Sequence, residues 1–457
     1  MSDPVTAVPK KIVVTGASGN VGDGVLRALA SAVPSAEVVG VCRRPPTQGE
    51  LYERVRWHAV DLSWPDAAQR LAPAMRGADV VIHLALSLQP VRDEDYLYRA
   101  NVLGSARVLQ AMAAADIKHL VYASSLGVYA AGATGPVTEN WPDTGQPTSV
   151  YSRHKVAVER LLDRFVTEHP DTTVARFRPT VVVSRKAWMI HTLYLGPFVP
   201  AVALKLLQRR MLPVLPLPQD LSLQFVHSDD VGDAAVRLML QGAQGSFNIA
   251  SDVLDSHALA GLVGARPLAV SPRVFRVVVS ALNRLRLLAL TPGWYDVATK
   301  SPLMDTSKAR RELGWVPIRS SADSARELID GLADGVIGSS AATGLMQKPS
   351  VVSRRAIGRF HDATLLMWTA LAAARAAGIR QAGAPDVAVI AANLLTGTPA
   401  ALDRILARRR DPVALAAPIA VLAAVATSRR GGWMPVAATA ILHALNAIER
   451  MRPVVDE

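Results

Sequence analysis

Apolar and polar positions come in alternating blocks from Lys10 to Ala250. Short runs rich in Val and Ile stand at Ile12–Thr15, Val38–Cys42, Val55–Val60, Val80–Leu84, Leu120–Ala123 and Val174–Phe177. These runs are nearly continuous in apolar character, the pattern of strands covered on both faces. Between most of them, Val25–Val33, Ala67–Met75, Val102–Ala115 and Val156–Val166 repeat apolar residues at helical spacing. Strands separated by helices of this length make βαβ units, so the pattern predicts an α/β fold with a doubly wound parallel sheet.

The rhythm breaks from Ser184 to Leu223, which carries "GPFVP" and "LPVLPLPQD". Prolines at that density oppose long regular elements. A non-sheet insertion placed to cover a ligand is expected there. The pattern resumes with the strand-like "LQFVH" and the helix-like "SDDVGDAAVRLML". "DGLADGVIGSSAATG", from Asp330, is rich in Gly, Ser and Ala and reads as a linker. Beyond it, Ala, Leu, Val and Arg dominate Ser353–Met451, with helices expected at Asp362–Ala377, Pro385–Leu395, Ala400–Arg409, Val413–Thr427 and Val436–Arg450. The predicted organisation is a first core over 1–183, a core return with a small substrate lobe over 184–330, a linker over 331–352 and an all-α region over 353–457.

At 457 residues, half of them apolar, the chain is long enough for more than one core. The formal charge is +12, but basic residues are scattered among acids without aromatic interleaving, so nucleic acid is not an expected partner. Cys42 is the only cysteine, which excludes an intrachain disulfide and a cysteine-based metal cluster and fits a reducing compartment. The leading "MSDPVTAVPKK" lacks the apolar core of a signal peptide, so a cytoplasmic protein is expected. Pro412–Thr427 is apolar and flanked by arginines, but it falls short of the ~20 residues that span a bilayer. A buried helix is expected there, and peripheral contact with a membrane surface through the C-terminal helices stays open.

Two features carry chemistry. Gly16-Ala17-Ser18-Gly19-Asn20-Val21-Gly22 follows a strand and opens a helix. Gly16 allows the tight turn, Gly19 lets backbone approach a pyrophosphate, and Gly22 lets helix and sheet pack closely. The helix N-terminus then offers N–H groups to the phosphates. Where an acid would bind the ribose, at the end of the second strand, Cys42 is followed by Arg43 and Arg44. Guanidinium groups suit the 2′-phosphate of NADP, so NADP is favoured over NAD. Further on, Tyr151 and Lys155 stand four apart on one helix face. The lysine ammonium is expected to favour the phenolate, so that Tyr151 exchanges a proton with a carbinol. Ser125, at a strand end, is placed to hold the substrate oxygen.

Together these pieces resemble the extended short-chain dehydrogenase/reductase family, the NAD-dependent epimerase/dehydratase group. The resemblance rests on "TGASGNVG", Asp61-Leu62, "VIHLA", "NVLGSARVL", "YASSLGVY", "YSRHK", "RFRPT", "FVHSDDVGDAA", "FNIAS" and "DTSKARRELGWVP", in that order. It implies a Rossmann-like core in which Gly16, Gly19, Asn20, Val21 and Gly22 carry the phosphates. Asp61 and Leu62 would flank the adenine, and Leu84 and Ala85 would line the dinucleotide groove. It implies Ser125, Tyr151 and Lys155 as catalytic residues, Lys155 also holding the nicotinamide ribose, with Asn101 as a buttress. It further implies a homodimer through Val102–Ala115 and Val156–Val166. The expected activity is NAD(P)-dependent oxidoreduction or epimerisation of a sugar derivative or another hydroxylated small molecule. A non-catalytic dinucleotide sensor and a membrane-surface reductase of a lipid-like substrate are the alternatives. Ser222, Leu223 and Gln224 stand where sugar-nucleotide epimerases place an arginine, with Arg209 and Arg210 as the nearest substitutes. Leu126 and Gly127 stand where dehydratases carry Asp-Glu, which disfavours dehydration.

Overall fold

The computed structural model describes residues 8–88, 93–187, 201–284, 288 and 290–343. The chain divides into two compact units, Met1–Gly196 with Leu206–Gln347, and Pro197–Lys205 with Lys348–Glu457. The site lies wholly in the first, which takes in both the expected first core and most of the expected substrate lobe. The helices expected over 353–457 lie outside the described residues. Among the described residues no helix is long and apolar enough to cross a membrane.

The strands are β1 (Lys11–Thr15), β2 (Glu37–Cys42), β3 (Val55–Ala59), β4 (Val80–His83), β5 (His119–Ala123), β6 (Thr173–Pro179), β7 (Val181–Val183), β8 (Val214–Pro218), β9 (Leu223–His227), β10 (Gly245–Ile249), β11 (Val253–Leu254) and β12 (Arg266–Val270). Seven of them form one parallel sheet in the order β10-β6-β5-β4-β1-β2-β3. The chain steps outward from β1 to β3, then crosses back to lay β4 on the other side of β1. The carboxyl ends of β1 and β4 therefore border the crevice where a doubly wound sheet takes its ligand.

Side chains alternate across a strand, so Ile12 and Val14 enter one core and Val13 the other. The first core gathers Val25 and Leu29 of α1 (Asn20–Ala32). The second takes Leu71 of α2 (Ala67–Met75), Met112 of α3 (Gly104–Ala114) and Leu162 of α4 (Val150–Glu168). Val231 and Ala235 of α5 (Ser228–Leu240) close the first core. Each such Val, Ile, Leu or Met side chain contributes about 1.5–3 kcal/mol by leaving water, and together they fix the sheet between two helical layers. The helix expected from Val102 starts instead at Gly104, and Val102 belongs to a π turn, Arg99–Leu103, that merges into α3.

The proline-rich run differs from expectation. "VLPLP" is β8, paired in parallel with β12. Arg266 N–H donates to the Pro213 carbonyl and Gln219 N–H to the Val270 carbonyl, so the odd-numbered residues of β8 face β12. Pro216 and Pro218 share the other parity. Their missing donors fall on the edge that pairs with no strand among the described residues, where no ladder bond is lost. Pro267 of β12 likewise faces away from its partner. A second small sheet, β11-β9-β7, adjoins the C-terminal end of the core strands.

The expected linker also differs. Its first residues belong to α6 (Ser321–Ala333). After Gly335, at φ +66°, the chain folds into a turn in which Gly338 N–H donates to the Thr343 carbonyl at 2.9 Å. A Cβ at Gly338 would stand 2.0 Å from Thr343 Oγ1, so this glycine serves close packing. Ser340 and Thr343 are buried.

Candidate active site

A cavity of about 370 Å³ opens at the carboxyl ends of β1 and β4. Its wall includes Gly16, Gly19, Asn20, Val21, Gly22, Arg43, Arg44, Asp61, Leu62, Leu84, Ala85, Ser125, Tyr151 and Lys155. The glycine turn and the Tyr–Lys pair, more than a hundred residues apart in sequence, thus share one crevice.

The turn fits a dinucleotide by what side chains would do to it. Gly16 sits at φ +74°, and a Cβ there would stand 2.7 Å from the Ala85 nitrogen. A Cβ on Gly22 would stand 2.3 Å from the Ala17 carbonyl oxygen. At Gly19 a Cβ would meet only the Gly16 carbonyl among the described residues, 3.3 Å away, so a larger side chain would fill the cavity itself. Gly19 starts α1 with no side-chain cap, which leaves the helix terminus to an anion. The Asn20 amide donates to the Val182 carbonyl at 3.1 Å and accepts from the Ser184 hydroxyl at 2.6 Å, bolting the turn to β7. Beside the turn, Arg43 donates to the Tyr96 hydroxyl and Asp61 accepts from the Ser63 N–H at 2.9 Å.

At the other end, Ser125 caps a short turn by accepting from the Gly127 N–H at 3.0 Å, and it bonds the Tyr151 phenol. The Trp294 ring stacks on Tyr151 with centroids 4.6 Å apart. Lys155 is buried four residues on, its ammonium 2.6 Å from the Ala123 carbonyl and over the Tyr122 ring. The expected depression of the phenol is not what the protein itself imposes. Burial pushes Tyr151 up to about 12, the Ser125 bond opposing. Burial also brings Lys155 down to about 7, the Glu159 charge opposing. The lysine spends its proton on a main-chain carbonyl, and desolvation governs both groups.

Behind the wall lies an ionic core. Glu159, on the face of α4 that carries Tyr151 and Lys155, takes two bonds from Arg178, at 3.0 and 2.5 Å, and one from the Ser124 hydroxyl. Asn101 also stands behind the wall, not on it. It sits in the π turn, grips both main-chain groups of Ser87 at 2.7 and 2.9 Å, and so positions a loop that does line the cavity. A buried chain of bonds reaches it: the Thr15 hydroxyl to His83 Nδ1 at 2.6 Å, His83 Nε2 to Ser105 at 2.9 Å, and Ser105 to the Asn101 carbonyl at 2.6 Å. Because Ser105 donates onward, His83 must carry its proton on Nε2, and burial holds it neutral, with its pKa near 3.

Several wall residues carry no sequence motif. Trp294 comes from the helix Pro292–Lys300, Lys186 follows β7, and Ala341, Ala342 and Thr343 come from the expected linker. Arg209 and Arg210 are not on the wall, and Arg210 instead donates to the Gly261 carbonyl.

Comparison with known proteins bears on the family and the fold. The family model described as NAD dependent epimerase/dehydratase family matches residues 12–250. The L-arabinose 1-dehydrogenase (NAD(P)(+)) of Haloferax volcanii is 34% identical over 170 residues, 35% of this chain and 62% of that protein. The UDP-glucose 4-epimerase of Yersinia pestis is 28% identical over 241 residues, 49% of this chain and 65% of that enzyme. The chain thus spans just under two thirds of either relative. A UDP-galactose 4-epimerase crystal structure superposes with a TM-score of 0.52 at 21% identity, covering 71% of this chain and 99% of that one, which shows a common fold. On the family match and the shared fold, this chain belongs to the NAD-dependent epimerase/dehydratase family.

Proposed function

We propose that the chain is an NAD(P)-dependent oxidoreductase or epimerase that moves hydride at a secondary alcohol or ketone. The observation that carries this is the meeting of Ser125, Tyr151 and Lys155 with the glycine turn on one cavity wall. When bound, the nicotinamide accepts or supplies the hydride. The Ser125 hydroxyl holds the substrate oxygen, and Tyr151 passes a proton to it or takes one from it. With its pKa near 12 the phenol is protonated at neutral pH, the state needed to protonate a nascent alkoxide, which favours carbonyl reduction. Lys155, near 7, holds the cofactor ribose and exchanges protons close to neutrality. Leu126 and Gly127 supply no acid–base pair, which disfavours dehydration.

Arg43 and Arg44 on the wall support NADP over NAD. A second reading, an apolar lipid-like substrate in place of a sugar derivative, is favoured by Leu126, Leu223, Val297, Pro302 and Leu303 around the Tyr151–Trp294 stack.

The test is nicotinamide absorbance with NADPH and NADH against sugars, sterols and acyl ketones, on wild type and Tyr151→Phe. The variant is expected to bind cofactor normally while turnover falls about 10²–10⁴-fold. Binding of neither cofactor by the wild type, or unchanged turnover in the variant, refutes the reading. Retained binding with no turnover by the wild type on any substrate favours a sensor.

A further inference from the structure

We propose that Val336–Thr343 is a clamp on the adenosine-diphosphate half of the cofactor site, fixed to the glycine turn through Ser340. The proposal rests on the NAD(P) reading above. Residues Ala341, Ala342 and Thr343 stand on the wall of the cavity that Gly16, Gly19, Arg43 and Arg44 also line. They arrive there from beyond α6, outside the residues matched by the family model.

The anchor is a single buried hydroxyl. Ser340 donates to the Ser18 carbonyl at 2.6 Å, across 322 residues of chain. The next N–H, that of Gly19, donates to the Gly16 carbonyl at 3.0 Å. The Ser18–Gly19 peptide is therefore held at both ends. Its carbonyl points to the clamp, and a flip that would turn that oxygen toward a phosphate is blocked. Fixing dipoles in advance removes reorganisation from the cost of binding an anion. Ser340 is itself oriented, accepting from the Thr343 N–H at 3.1 Å and contacting Thr343 Oγ1 at 2.8 Å. Small side chains suit the place, because Ala341 and Ala342 form wall without filling the cavity. Lys186 contributes a cation to the same wall.

The test is equilibrium titration of the full chain with NADPH, ADP-ribose and nicotinamide mononucleotide, for wild type, Ser340→Ala and Ala342→Glu. Ser340→Ala frees the peptide, and one lost hydrogen bond corresponds to about a five- to tenfold rise in Kd for NADPH and ADP-ribose. Ala342→Glu adds a carboxylate facing the diphosphate and is expected to weaken both more than about tenfold. Affinity for nicotinamide mononucleotide, which lacks the adenosine half, is expected to stay within twofold in both variants. Wild-type binding of ADP-ribose with unchanged Kd in both variants overturns the clamp and leaves the NAD(P) reading standing. Equal weakening of all three ligands also overturns it, because that is general loosening of the fold. If the wild type binds none of them, the NAD(P) reading falls and the clamp falls with it.

Discussion

Lys155 is held at a cost to the fold, and the cost is measurable. Its ammonium is almost wholly buried, with the Ala123 carbonyl and the Tyr122 ring as near neighbours. Burial lowers its pKa from 10.5 to about 7 although the Glu159 charge pulls the other way. Below pH 7 the folded chain carries a proton that burial disfavours across this gap of about 3.5 units, on the order of 5 kcal/mol. Between pH 7 and 10.5 the unfolded chain binds more protons at this position than the folded one, so stability rises with pH. Above 10.5 the side chain is neutral in both states and the cost vanishes. Lys155→Met keeps the length and discards the charge, but it orphans the Ala123 carbonyl at about 1–3 kcal/mol. The variant is therefore expected to be about 2–4 kcal/mol more stable than the wild type at pH 6. It should match or fall below it by pH 10. Urea unfolding of both proteins at pH 6, 8 and 10 measures this directly. A variant less stable at pH 6, or a difference that does not change with pH, refutes the reasoning.

Other substitutions probe the layers around the site. Glu159→Gln strips the buried Arg178 of the nearer of its two carboxylate partners, leaving Asp143 at 3.4 Å, and is expected to cost about 3–5 kcal/mol in denaturant unfolding, with much of the loss recovered in the double variant carrying Arg178→Met. Trp294→Ala removes an aromatic stack on Tyr151 worth about 0.5–1.5 kcal/mol, so urea unfolding should show at least that loss while the cofactor Kd from a binding titration stays put. Gly22→Ala places a methyl 2.3 Å from the Ala17 carbonyl, so α1 must shift. Unfolding should show a loss of about 1–3 kcal/mol, and titration a weaker dinucleotide.

What the sequence revealed was local. A strand covered on both faces announces itself in a run such as Ile12–Val14, and the glycine turn and the Tyr151–Lys155 pair each lie within a few consecutive residues. What it concealed was brought together by the fold. Trp294 lies far along the chain from the tyrosine it stacks on. Ser340 reaches the glycine turn from the far end of the unit, and its Gly/Ser/Ala-rich setting has the composition of a flexible connector. The prolines of β8 deceived because composition records how many there are, while the pairing depends on their parity. The phenol and ammonium of the site were expected to help one another. Burial, which no string of letters displays, sets the level of each. Asn101 is expected as a buttress only through the family resemblance, and its bonds to the Ser87 backbone, which hold a loop of the cavity wall, are not legible in the sequence.

The placement of Pro216, Pro218 and Pro267 reaches beyond the small lobe. A free strand margin normally tempts another polypeptide to zip onto it and start an aggregate. The rims of this two-stranded ribbon offer such a visitor few amide hydrogens to grasp, so the lobe can stay small and peripheral without recruiting copies of itself.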